Sequence, residues 1–250
     1  MIATIIFFIF FGALSYSYGW GFLTLLQRII QIKTDEKLSF PWVMAAGLVS
    51  ITTIGMVLNF WIPLSSTALG IVVAGGVIIA VVLWKRLKTG WHAPFMRSHY
   101  IFWILVILVA FAVIEHSTHQ PSNPDTGIYH AQTIRWMEEY PLVPGLGNLN
   151  SRFAYNSSWL VVNALFSFSF LGIQSFHLLP SAFFILTMLI CLEGACGWLR
   201  GKTTPANILK TLLIPCAFYV LSSEISSPGT DLPVVLIVWW LAAGWLERGE

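Results

Sequence analysis

Residues 159–171 read WLVVNALFSFSFL, and whether this stretch crosses a membrane decides the orientation of everything after it. It is apolar but short, and Asn163, Ser167 and Ser169 interrupt it. A crossing helix needs about 20 apolar residues. Seven longer apolar segments surround it: Ile2–Gln27, Pro41–Trp61, Thr67–Trp84, Tyr100–Ile114, Leu178–Leu199, Ile208–Ser222 and Leu232–Leu246. The chain has 13 Lys and Arg, and they settle the count. If residues 159–171 stay on one side, seven crossings place eleven basic residues on one face and leave Arg135 and Arg152 on the other. If they cross, the split becomes seven against six. Basic residues collect on the cytoplasmic side of membrane proteins, so the sequence predicts seven spans, with the N-terminus outside and the C-terminus inside. Residues 159–171 are then a re-entrant or interfacial helix, which is tolerated only where protein or a water-filled cavity covers it.

The composition agrees with this reading. Of the 250 residues, 57% are hydrophobic and 10% charged. A soluble domain carries about 25% charge. These proportions exclude a soluble globular enzyme, a disordered chain and a nucleic-acid binder. The 12 Trp suit a chain with many membrane–water interfaces. The first segment lacks the basic start and small-residue cleavage site of a signal peptide and reads as a span. Cys191, Cys196 and Cys216 all lie in apolar stretches without metal-ligand spacing and read as structural. The fold class expected is all-α: a polytopic transmembrane bundle of about seven spans with an outer juxtamembrane helix and one short re-entrant helix.

The same topology sorts the polar groups. Glu115, Asp125, Glu138, Glu139, Glu224 and Asp231 fall outside, with His116, His119, His130 and His177. Asp35, Glu36, Glu247 and Glu250 fall inside. Groups able to do acid–base chemistry therefore concentrate on the outer face.

The outer loop, residues 115–158, is long for a membrane bundle, and long loops are usually functional or independently folded. Pro121, Asn123 and Pro124 are turn chemistry. Asp125 or Thr126 can then cap a helix. Ile128, Ala131, Ile134 and Met137 recur every three residues, which predicts an amphipathic helix of about four turns on the membrane surface, ended by Pro141 and Pro144. Asp125 is both a plausible cap and a carboxylate aimed at a reaction centre, since a helix N-terminus keeps such a group ionised. His130 and Arg135 fall on the polar face of this helix. Arg135 precedes Glu139 by four residues, the spacing of a simple helix ion pair. Glu115, His116, His119 and His130, with Asp125, raise the question of a metal, but the Pro-rich segment between them favours a solvated loop. No metal ligand is assigned, and a divalent cation is left open.

In the last outer loop, SSEISSPGTDLPVV, Pro228 and Gly229 turn the chain, Thr230 or Asp231 caps the next span, and Pro233 occupies an early helical position. Asp231 at the mouth of a span is a functional candidate, with capping as the competing role. Asp125 and Asp231 fall on the same face, where two carboxylates suit a base and its helper. Glu193 lies within a span and receives no catalytic role.

These residues carry a resemblance. An Asp opens a juxtamembrane helix, followed by the spacing Asp125–Tyr129 and by IRWMEEY. Tyr155 and Trp159 then lead into a short helix, with FLGIQSFHLLPSAFFILTMLI and SSPGTDLPVVLIVWW beyond it. Together they resemble the N-terminal part of the GT-C superfamily of multi-pass membrane glycosyltransferases, which includes the protein mannosyltransferases and the aminoarabinose transferases of lipid A. Over Asp125–Trp159 the loop is similar to that of a family of large, uncharacterised bacterial membrane proteins. The resemblance implies an enzyme of the bacterial inner membrane. It would move a sugar from a polyprenyl-phosphate carrier to a glycan, lipid or protein acceptor on the outer face, in envelope glycan or glycolipid synthesis. It implies Asp125 and Asp231 as the catalytic carboxylates. Arg152, then Arg135, would hold the phosphate, with Tyr129 and His130 beside the substrate. It also implies residues 1–98 as a three-span extension, residues 99–250 as the GT-C-like module, and further spans beyond Glu250 in a missing C-terminal half. The competing expectation is a polysaccharide or lipid transporter, or a non-catalytic envelope protein.

Overall fold

A computed structural model describes residues 1–31, 39–92, 100–173, 175 and 177–249. Lys33, Asp35, Glu36, Lys37, Arg97 and Glu250, which the charge pattern assigns to the inner face, lie outside them. The described chain is helical and contains no strand. Four helices are long and apolar enough to cross a membrane: α1 (Ile2–Ile30), α2 (Phe40–Asn59), α5 (Tyr100–Ser117) and α8 (Leu178–Leu199). A fifth candidate is α3 (Ser66–Val82), which bends by 82° into α4 (Trp84–His92). Among the described residues the other α-helices are α6 (Ala131–Glu139), α7 (Ser158–Leu165), α9 (Pro205–Leu221) and α10 (Asp231–Arg248).

Contacts divide the chain into two units. One comprises Ile2–Arg97 and Tyr129–Phe176; the other comprises Ser98–Ile128 and His177–Glu250, with Met1.

In the first unit, α1 and α2 lie backbone to backbone. A Cβ on Gly19 would sit 2.0 Å from the Val43 carbonyl oxygen, and one on Gly47 would sit 1.7 Å from that of Ser15. Glycine at both positions lets the helices approach more closely than any side chain would permit, the packing that membrane helices favour. Tyr18 donates to the Val72 carbonyl at 2.8 Å and ties α3 to α1. Beyond the bend, α4 turns its cations along α1: Arg86 donates to Thr24 Oγ1 at 2.9 Å and Gln27 Oε1 at 2.6 Å, and its guanidinium lies 4.9 Å from the Trp20 ring centre.

The short apolar stretch at residues 159–171 forms most of α7 and a 3-10 turn, Ser169–Leu171. Eight helical residues rise only about 12 Å, far short of the hydrocarbon core of about 30 Å. Trp159 to Ser167 are all buried, with Phe166 edge-on to Phe11 at 5.5 Å. Phe168 adopts left-handed backbone (φ +54°), as does Gly172 (φ +74°), and these residues break the helix. Ser175 donates to the Ser167 carbonyl at 2.5 Å and closes the return.

The segment from Pro124 to Glu139, expected as a regular helix of about four turns, is not one. Residues Thr126–His130 form a π-helical turn, and α6 continues from Ala131. A π turn inserts one residue into the helical repeat and rotates its N-terminal side relative to its C-terminal side. Ile128 is 47% exposed, while Thr126, His130, Thr133 and Ile134 are buried.

In the second unit α8 is the centre. Fifteen of its residues from Leu178 to Ala195 are buried. Trp240 of α10 donates to Thr187 at 2.9 Å and packs on Phe183, while Phe218 of α9 meets Phe184 edge-on. α9 carries Pro215 in its interior. On α5 only Phe102, Val113 and Ser117 are buried, and Ile104, Ile107, Leu108 and Phe111 are exposed. So continuous an apolar surface suits contact with lipid tails.

Candidate functional site

One end of the second unit brings three carboxylates within electrostatic reach of one another. The helical segment begins at Pro124, so Pro occupies a first-turn position where its missing N–H costs nothing. Asn123, rather than Asp125 or Thr126, performs the cap: its Oδ1 accepts the Asp125 backbone N–H at 2.9 Å. The same side chain donates through Nδ2 to Glu224 Oε1 at 2.8 Å. Asn123 thus bridges the loop before α6 and the loop before α10. Thr126 and Ser227 reinforce the bridge through hydroxyls 3.0 Å apart, and Ser227 accepts from the Gly229 N–H at 3.2 Å. Ser181 of α8 donates to the Ile225 carbonyl at 2.7 Å. Ser227 and Ser181 are fully buried, so these bonds form away from competing water.

Asp231 opens α10 and is exposed; Thr230 precedes it at the cap position without a capping side-chain bond. Glu224 stands between the two aspartates electrostatically. Burial pushes its carboxyl above the usual glutamate range. The Asn123 hydrogen bond opposes that shift, and the charges of Asp231 and Asp125 add to it. Its Oε2 is buried and has no hydrogen-bond partner among the described residues. Such a carboxyl holds its proton to a higher pH than an ordinary glutamate and relieves the like-charge repulsion. On sequence alone Glu224 is one outer acid among six, with no role of its own. Only tertiary contact between the two loops reveals one.

The remaining candidates belong to the first unit. Tyr129 stacks obliquely on His130 with ring centres 4.1 Å apart and meets Tyr155 edge-on at 5.8 Å. The Arg152 guanidinium lies 5.2 Å from the centre of the Tyr129 ring, a cation–π placement. Asn150 accepts the Arg152 backbone N–H at 3.1 Å and fixes the 3-10 turn Ser151–Tyr155 that carries it. His130 is not on a polar helix face: it is 2% exposed, because the π turn rotates it inward. Arg135 is exposed and pairs with Glu139 at 2.7 Å, apart from the Tyr129 cluster. Glu138, on the neighbouring face of α6, is pushed up by burial, against hydrogen bonds from Ser167 and Ser169.

Glu115 and His119 approach to 3.6 Å on the exposed end of α5, and the His116 and His119 rings lie 6.4 Å apart. Among the described residues no three His, Cys, Asp or Glu side chains converge as a metal-binding group. His177 is held below the usual histidine range by burial, against a hydrogen bond to the Ser117 backbone.

The sequence family described as a domain of unknown function, DUF8201, matches residues 1–250. The chain belongs to this family. No curated protein and no solved structure matches it. Within this DUF8201 chain the first unit also holds a cavity of about 370 Å³ that sequence reasoning missed, framed by α6 and by the loops C-terminal to it. The loops are stitched in place: Leu64 N–H donates to the Met137 carbonyl at 2.7 Å and Leu142 N–H to that of Asn59 at 2.6 Å. The sequence signal was the run of Pro, Gly and Asn from Pro141 to Asn150, which marks a structured loop without showing what it encloses.

Proposed function

We propose that this chain is a membrane module with glycosyltransferase activity. It moves a sugar from a polyprenyl-phosphate carrier to an acceptor on the outer face of a bacterial inner membrane. The observation that carries the reading is the pair of aspartates, from separate outer loops, whose charges both reach Glu224. Asp125 deprotonates or orients the acceptor hydroxyl, a general-base role typically contributing about 10²–10⁴-fold. Asp231 is its helper, and the Asn123 bridge holds their two loops in register. Arg152 neutralises the developing charge on the phosphate leaving group. In the first unit its guanidinium is already held over Tyr129, while the Glu139 pair makes Arg135 the weaker candidate. No metal-dependent step is part of the proposal.

The topology proposed has seven spans: the five candidates above together with α9 and α10, with the N-terminus outside. A cysteine placed at Thr203 is then cytoplasmic and resists an impermeant label applied from outside intact cells; labelling there would overturn the orientation. The catalytic reading is tested with Asp125→Asn and Asp231→Asn in the full-length protein, scored by glycan transfer in membranes. Both variants lose transfer if the reading holds, and wild-type transfer in both would sink it.

A further inference from the structure

The cavity in the first unit has a selective lining. At about 370 Å³ it lies near the lower end of the range for small-molecule pockets, about 300–1,000 Å³. Trp136 and Phe153 give it aromatic walls, and Asn59, Asn148, Asn156 and Thr133 supply its polar groups. Among the described residues no Lys, Arg, His, Asp or Glu lines it. Each fact narrows the occupant. A phosphate or carboxylate bound without a cation would go uncompensated, so the ligand is neutral. An acyl or isoprenoid chain would bury carboxamides without hydrogen-bond partners, which is costly. Asn59 and Thr133 are already engaged: Asn59 Nδ2 donates to the Ile62 and Tyr140 carbonyls, each at 3.4 Å, and Thr133 donates to the Tyr129 carbonyl at 2.8 Å. Asn148 and Asn156 are exposed and supply donors and acceptors to an incoming molecule.

We infer that this cavity binds a neutral sugar ring. A pyranose presents hydroxyls at its edge and weakly positive C–H groups on its face. The hydroxyls match the carboxamides of Asn148 and Asn156, and the C–H groups match the negative face of the Trp136 indole. Assigning the sugar to the acceptor glycan rests on the transferase reading; its binding here does not.

Asn156 allows a clean variant, because its backbone is left-handed (φ +45°). Glycine adopts that conformation without cost, so Asn156→Gly removes the carboxamide and keeps the turn. The experiment is saturation-transfer NMR on the full chain in nanodiscs prepared without sugar-headed detergent. The probes are the methyl glycosides of glucose, galactose and mannose, with hexanol and glucose 6-phosphate as apolar and charged comparators. At least one glycoside should receive saturation on its ring C–H protons. Binding should weaken about tenfold or more in Trp136→Leu, as for a truncated aromatic anchor. It should weaken about fivefold in Asn156→Gly, the worth of one hydrogen bond. Saturation of hexanol alone, of glucose 6-phosphate in preference to the glycosides, or of no probe would overturn the inference, as would glycoside binding that Asn156→Gly leaves intact. Repeating the measurement in the Asp125→Asn, Asp231→Asn double variant separates the two claims. Binding retained there with transfer lost upholds both; binding and transfer both retained upholds the sugar site and removes the catalytic reading.

Discussion

The two ends of α9 and α10 handle charge in opposite ways. At one end Lys210, 4% exposed, pairs with the Glu247 carboxylate, and the Glu193 side chain of α8 lies within electrostatic reach of both. The lysine stem fits because residue 194 is glycine: a Cβ there would lie 2.4 Å from Lys210 Cβ. At the other end burial, and then the charges of Asp231 and Asp125, raise the proton affinity of Glu224. Opposite charges packed together hold helices in place. Like charges packed together cost stability and persist in folded proteins mainly where they serve chemistry. Under the proposed function the first cluster is structural and the second catalytic.

Substitutions can break or sharpen that contrast. The largest effect is expected at the carboxylate end, on the proposed activity: if the chain is the glycosyltransferase proposed above, Asp125→Asn or Asp231→Asn should lower transfer by about 100-fold or more. Their melting temperatures should stay close to wild type. At the Lys210 end the order reverses. Glu247→Ala strands the buried Lys210 charge and should cost about 2 kcal/mol, a value reduced because Glu247 is half-exposed. Thermal unfolding in detergent measures it.

Glu224→Gln gives a smaller effect with a distinctive pH signature. The folded state holds the Glu224 proton to higher pH than the unfolded state does, so wild-type stability falls as pH rises from the ordinary glutamate value through the raised one. Glutamine removes that fall and still accepts the Asn123 bond. The variant should therefore match wild type under acid conditions and exceed it at neutral pH, as read from melting curves across the pH range. Smallest of all is Arg135→Ala, which removes an exposed ion pair and should leave the melting temperature unchanged.

Much of the helical framework was legible in the sequence, because hydropathy over a span is a property of the segment alone. Leu178–Leu199 was read to the residue, and α1, α2 and α5 within a few residues at their ends. The shortness of α7 was legible through the polar Asn163, Ser167 and Ser169. Two of these have a further use that the sequence did not display, since Ser167 and Ser169 donate to Glu138. The π turn was not legible: one inserted residue leaves no mark in a periodic pattern that is already imperfect, and His130 was consequently placed on the wrong face. The Asn123 cap was visible as Asn before Pro, yet Asp125 competed for the same role two positions on. Glu224 and the cavity depend on segments that meet only after folding. Glu224 and Asn123 are 101 residues apart, beyond the reach of any local rule.

The close approach of α1 and α2 also constrains how this sequence can vary. At Gly19 and Gly47 the obstructing atoms are carbonyl oxygens of the opposing backbone, which no rotamer change can move aside. Every missense change at a glycine codon adds at least a Cβ. In the vocabulary of inheritance, these are two letters with no synonyms, and drift at either is open only if the facing helix moves with it.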